Sequence, residues 1–96
     1  MRVRVTLNCP VKADQIATLA DFLSKNLPNV RAADGCMSVG VLFDQDEAEM
    51  LLEEEWLSIA QHQAYIKSIE VSGVLAELVA LLESAPTIKY FTRADI

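Results

Sequence analysis

The sequence predicts an α+β domain built as strand, helix, strand, strand, helix, strand, with the helices on one face of an antiparallel sheet. Three observations carry this. Residues 2–9 alternate, with Val3, Val5, Leu7 and Cys9 on one side and Arg2, Arg4, Thr6 and Asn8 on the other, the period of a strand with two different faces. Ile16, Leu19, Ala20, Leu23 and Leu27 repeat at helical spacing. A polar turn, Asp44-Gln45-Asp46-Glu47, separates two strand-like apolar runs, which pair as a hairpin.

The remaining boundaries follow from punctuation. Pro10 ends the first strand and Pro28 closes the first helix. Val30 to Phe43 reads as a strand, with a bulge or kink at Asp34-Gly35. Ala48 to Leu57 is its hairpin partner. Ser58 and Gln61 have the spacing of a capping box, so a helix starts at about Ile59. It weakens near Ser68 and breaks at Ser72-Gly73. Val74, Leu75, Leu78, Leu81 and Leu82 form a second apolar helical face, which Ser84-Ala85-Pro86 stops. Thr87 to Thr92 is a short last strand. The order is the split βαβ, or ferredoxin-like, βαββαβ pattern, and the 96 residues make a single domain.

Composition excludes several functions. The net charge of −6 opposes binding to nucleic acid, which needs clustered Lys and Arg, and to an anionic membrane surface. No apolar run is long enough to span a bilayer. Met1-Arg2 leads into an alternating strand rather than a signal peptide. Cys9 and Cys36 are then expected to be reduced thiols in a cytoplasmic protein. With three glycines there is no phosphate loop.

Hydrophobic residues are 52% of the chain, high for so small a core. In the third strand Met50 and Leu52 fall on one side, Leu51 and Leu57 on the other. A sheet that is apolar on both faces and covered by helices on one needs a partner, and a homodimer joined sheet face to sheet face supplies it.

Chemistry gathers around the only Trp and the only His, at the end of the third strand and on the following helix. Trp56 offers a flat aromatic wall. His62 is a group that titrates near neutral pH. Tyr65 lies three residues beyond His62, so both can face one cavity. Glu54 shares strand parity with Trp56 and points the same way, whereas Glu53 and Glu55 point to the other face. That alternation, the single His and the absence of a Cys-x-x-Cys motif disfavour a metal site. Trp56 is equally readable as core, and His62 and Tyr65 as structural packing residues.

Gly35-Cys36, the stretch Glu54-Glu55-Trp56-Leu57-Ser58 and the Tyr65 to Ser68 spacing resemble the antibiotic biosynthesis monooxygenase (ABM) family, small dimeric α+β barrels that include quinol monooxygenases. The resemblance covers most of the chain. The family's usual pattern is Glu-x-Trp-x-Ser or Asp, then a His nine positions after the Trp. Tyr65 stands at that position here, and the His is three residues earlier. The resemblance implies oxygenation of a quinol or polyphenol by O2 without flavin, haem or metal. Independently of the resemblance, the chain has what such a site needs: His62 and Tyr65 as candidate catalytic groups, and Trp56, Glu54 and Asn8 as candidate substrate contacts, with Asn8 placed to donate to a carbonyl. The alternative is a non-catalytic dimeric barrel that binds a small apolar ligand or serves as an assembly module. Haem degradation, known among relatives of this fold, ranks low. Asn8 fits its strand Asn, but Tyr65 and Leu75 stand where its Trp and His belong.

Overall fold

The computed structural model describes residues 2–96. The elements are β1 (Val3–Pro10), α1 (Ile16–Arg31), β2 (Cys36–Phe43), β3 (Glu49–Trp56), α2 (Ile59–Ser72), α3 (Val74–Val79) and β4 (Thr87–Phe91). The strands form one antiparallel sheet in the order β2-β3-β1-β4, the ferredoxin-like α+β fold that the sequence predicts.

Alternation sets the core. The inner face of the sheet carries Val3, Val5, Leu7 and Cys9 on β1 and Met50, Leu52 and Trp56 on β3, all buried. Leu19, Leu23 and Val30 of α1 and Leu78 of α3 are buried with them. Each such aliphatic side chain contributes about 1.5–3 kcal/mol when removed from water.

Three boundaries differ from the sequence reading: α3 ends at Val79, which leaves Leu81 and Leu82 beyond the helix, with Leu82 bridged to Val11, and the other two trace to one residue. Pro28 lies inside α1, which runs on to Arg31. In a last turn, proline forfeits little more than its own hydrogen bond. In return Val30 stays on the buried face, and Arg31 Nη2 donates to Val39 O at 3.0 Å, fastening the helix end to β2. Val30 is therefore helical, and β2 begins only at Cys36. The register shift falls between Cys36 and Ser38, just after the expected kink. Gly35 sits at φ +89°.

Ser58 caps α2 as expected. Its hydroxyl oxygen accepts from Gln61 N at 3.2 Å, and its O–H donates to Gln61 Oε1 at 2.9 Å. Helix α2 continues past Ser68 to Ser72 and ends at Gly73, whose φ of +89° makes the left-handed turn into α3.

The outer sheet face is more polar than the sequence reading anticipates. Leu42 and Phe91 are exposed and Leu51 is half-buried. Between them runs a charged stripe, with Arg4 Nη1 3.4 Å from Glu53 Oε1 and Arg2 Nη1 3.7 Å from Glu55 Oε1. Leu57 lies just beyond β3 and is exposed. Among the described residues, no helix is long and apolar enough to cross a membrane.

Candidate functional site

A cavity of about 60 Å3 lies between the inner sheet face, α1 and the α2–α3 pair. Phe22, Leu23 and Leu27 of α1 face Ile66 and Ile69 of α2 and Leu75 of α3 across it. Leu7, Val39 and Leu52 form its floor. Against this apolar lining stand Glu54, His62 and Tyr65.

Strand parity delivers Glu54. Its neighbours Glu53 and Glu55 turn outward to the arginines, while Glu54 is buried at 4% exposure. Trp56 Nε1 donates to Glu54 Oε1 at 2.8 Å. Burial raises the Glu54 carboxyl above its usual range, and the indole N–H partly offsets this.

Helix α2 delivers His62 one turn after the Ser58 cap, fully buried. The imidazole meets Trp56 edge to face at 5.2 Å and 75°, and Tyr90 at 5.4 Å and 78°. Nδ1 is 2.8 Å from the Tyr90 hydroxyl. Nε2 has no hydrogen-bond partner and lies 3.7 Å from Glu54 Oε1. Desolvation pushes the His62 pKa down to about 4. The expectation that His62 titrates near neutral pH is corrected: at pH 7 the ring is uncharged, and its approach to Glu54 is not an ion pair.

Three further placements refine the sequence reading. Trp56 is wholly buried behind the cavity wall, 5.6 Å from the Tyr65 ring, and does not line the cavity itself. Its N–H is spent on Glu54. Asn8 lies on the opposite face of the sheet, where Nδ2 reaches Glu49 Oε1 at 3.5 Å. The β1 alternation that buries Leu7 and Cys9 carries Asn8 away from the cavity, which it does not line. Tyr90 is the residue the sequence reading passes over. Its inward turn is set by pairing with Val5 across β4 and β1, a register that the short last strand alone does not signal.

The sequence from residue 2 to 85 matches the family described as antibiotic biosynthesis monooxygenase. The chain belongs to the ABM family. Solved structures share its fold over nearly their whole length. Rv0793 from Mycobacterium tuberculosis is 22% identical with a TM-score of 0.84, covering 100% of this chain and 98% of its own. A conserved protein from Methanosarcina mazei Go1 is 17% identical with a TM-score of 0.87, covering 98% and 94%. A structure described as an antibiotic biosynthesis monooxygenase is 15% identical with a TM-score of 0.84, covering 96% and 98%. No curated protein is significantly similar in sequence. In this ABM chain, then, the buried polar groups beside the cavity are Glu54 and His62, joined by Trp56 and Tyr90.

Proposed function

We propose that this ABM protein is a cofactor-independent monooxygenase acting on a quinol or polyphenolic aromatic. The observation that carries the reading is the buried Glu54–His62 pair at the edge of an apolar cavity, with the Nε2 of His62 unpartnered. A substrate hydroxyl is the natural partner for such a pair. Glu54, its carboxyl raised by burial, takes the substrate proton. The resulting anion passes an electron to O2, and the two radicals combine as a peroxide. Loss of water leaves a new carbonyl, so one oxygen atom enters the substrate and the other leaves as water. Tyr65, on the cavity wall, hydrogen-bonds the phenolic oxygen. An apolar surround keeps bulk water from the anion.

Size imposes a condition. An apolar cavity of about 150 Å3 admits a single benzene ring, and this one holds about 60 Å3. An aromatic substrate must therefore part α1 from the α2–α3 pair as it enters. The same small, mostly apolar volume favours the second reading, a non-catalytic barrel that holds a small apolar ligand.

The protein acts as a homodimer through its outer sheet face. A two-fold axis there sets the Arg2–Arg4 stripe of one protomer against the Glu53–Glu55 stripe of its partner, with Leu42, Leu51 and Phe91 between. We place it in the cytoplasm.

An oxygen electrode tests the activity. The metal-free, flavin-free protein is expected to consume O2 with an anthrone- or dihydroxynaphthalene-type compound, and Glu54→Gln to lose about a hundredfold or more in rate. Saturable binding without O2 uptake supports the second reading instead.

A further inference from the structure

Tyr90 is the fourth member of the polar chain that starts at Glu54. Antiparallel pairing of β4 with β1 turns Tyr90 inward beside Val5, and its hydroxyl ends 2.8 Å from His62 Nδ1. The imidazole is gripped between two rings at near right angles, Trp56 on one side and Tyr90 on the other. In this grip its nitrogens have fixed outlooks: Nδ1 faces Tyr90, and Nε2 faces Glu54 at 3.7 Å. Tyr90 itself is only partly buried, and its hydroxyl also reaches the side chain of the exposed Gln63.

The buried carboxylate meanwhile has a transport problem. Glu54 is 4% exposed, and a molecule filling the cavity closes that approach to water. Proton exchange with solvent then requires a side-chain route, and His62 and Tyr90 lie in order between Glu54 and the surface.

We propose that Tyr90 is a positioning residue that, through His62, exchanges the proton of Glu54 with solvent by switching the imidazole between its two neutral tautomers. With Glu54 protonated, its O–H points to a bare Nε2, and Nδ1–H donates to the Tyr90 oxygen. The Glu54 proton moves to Nε2 as the Nδ1 proton moves to Tyr90 and the original Tyr90 hydroxyl proton leaves to water. Glu54 is then a carboxylate facing Nε2–H, and Tyr90 O–H donates to Nδ1. One proton has left, every heavy atom keeps its bonds, and no imidazolium is formed. This suits a ring whose burial opposes positive charge. The 3.7 Å gap closes to hydrogen-bonding distance by a small side-chain rotation.

The charge of Glu54 is felt at the phenols of Tyr65 and Tyr90 and the thiols of Cys9 and Cys36, all of them raised first by burial. None of them titrates between acid and neutral pH. The proposal deepens the reading of the site as a proton-abstracting one, and its test needs no turnover.

His62 is the only histidine in the chain, so its ring nitrogens give a single set of 15N resonances in the full-length protein. Followed from acid to neutral pH, they are expected to change from the Nδ1–H to the Nε2–H tautomer with the same midpoint as the Glu54 carboxyl 13C shift. In Glu54→Gln the switch should vanish. In Tyr90→Phe the tautomer should no longer follow Glu54, and exchange of the ring N–H with water should slow tenfold or more. A single tautomer across the wild-type titration overturns the proposal, as does an unaltered switch and exchange rate in Tyr90→Phe. If Tyr90→Phe fails to fold, the wild-type titration still decides. Failure of the switch in a protein that consumes O2 refutes the relay alone. A switch in a protein that turns nothing over refutes the enzyme reading alone.

Discussion

Trp56→Phe tests whether the indole matters here as bulk or as a donor. The ring is fully buried, and its N–H donates to the buried Glu54 carboxylate at 2.8 Å. A hydrogen bond to a charged group contributes about 1.5–3 kcal/mol. The smaller ring adds a void costing on the order of 1 kcal/mol. The expected loss is about 2.5–4 kcal/mol, a large share of the roughly 5–15 kcal/mol that holds a domain together. For packing alone, Phe would be a mild replacement. Urea unfolding at pH 7 measures the loss, and the same change in the background of Glu54→Met separates its parts. Met keeps the volume and removes the acceptor, so Trp56→Phe should then cost only about 1 kcal/mol. Equal losses in the two backgrounds would show that the N–H to carboxylate bond contributes nothing, and the site's electrostatic description would fail with it.

Acid should act on His62. Its folded pKa of about 4 lies below the ordinary 6.5, so the unfolded chain binds a proton that the folded chain refuses, and stability is lost as the pH falls from 6.5 to 4. Glu54 acts oppositely, because a raised carboxyl pKa stabilises the fold at low pH and loses that contribution as the pH rises through it. The unfolding free energy from urea should therefore fall less with acid in the wild type than in Glu54→Gln, where His62 acts unopposed and costs up to about 3 kcal/mol. Gly35→Ala should cost about 1–3 kcal/mol in thermal melts, because φ is +89° and a Cβ would stand 2.5 Å from Gln61 Cδ. Sedimentation at low micromolar concentration should show two chains, and Leu51→Asp should give folded monomers; a wild-type monomer would sink the sheet-to-sheet interface.

Much of this fold was legible because its signals are local. Alternation in β1 and β3, the Ser58 cap and Gly73 each depend on a few neighbouring residues. Pro28 misled because its effect depends on position: a proline in a last turn removes little, and the burial of Val30 three-dimensionally outweighs it. The site was half legible. Parity sent Glu54 inward correctly, and helical spacing brought His62 and Tyr65 to one cavity. Alternation puts Asn8 on the face opposite Leu7 and Cys9, where it lies, so its expected substrate contact is at odds with the parity that sends Glu54 inward. The His62 pKa and the Tyr90 contact were not legible, because both arise from elements distant in sequence closing over one ring.

The register of β3 concentrates the chemistry. Glu53, Glu54 and Glu55 are the same side chain in three consecutive positions, yet two meet arginine in water and one meets Trp56 and His62 in the core. A slip of one residue would bury Glu53, Glu55 and Leu51 and expose Met50, Leu52 and Trp56, so the packing of the inner face fixes which carboxylate enters. Stability gives no reason for that carboxylate to be there. A buried charge replaced by an apolar side chain of similar volume is commonly neutral or stabilising, and Met at this position would leave only the Trp56 N–H newly unpaired. Glu54→Met alone is therefore expected to lie within about 1–2 kcal/mol of wild type. That outcome would mark Glu54 as a residue the fold tolerates and the chemistry requires. A loss well beyond it would make the Glu54–Trp56 bond a structural strut, and the case for proton abstraction would then rest on turnover alone.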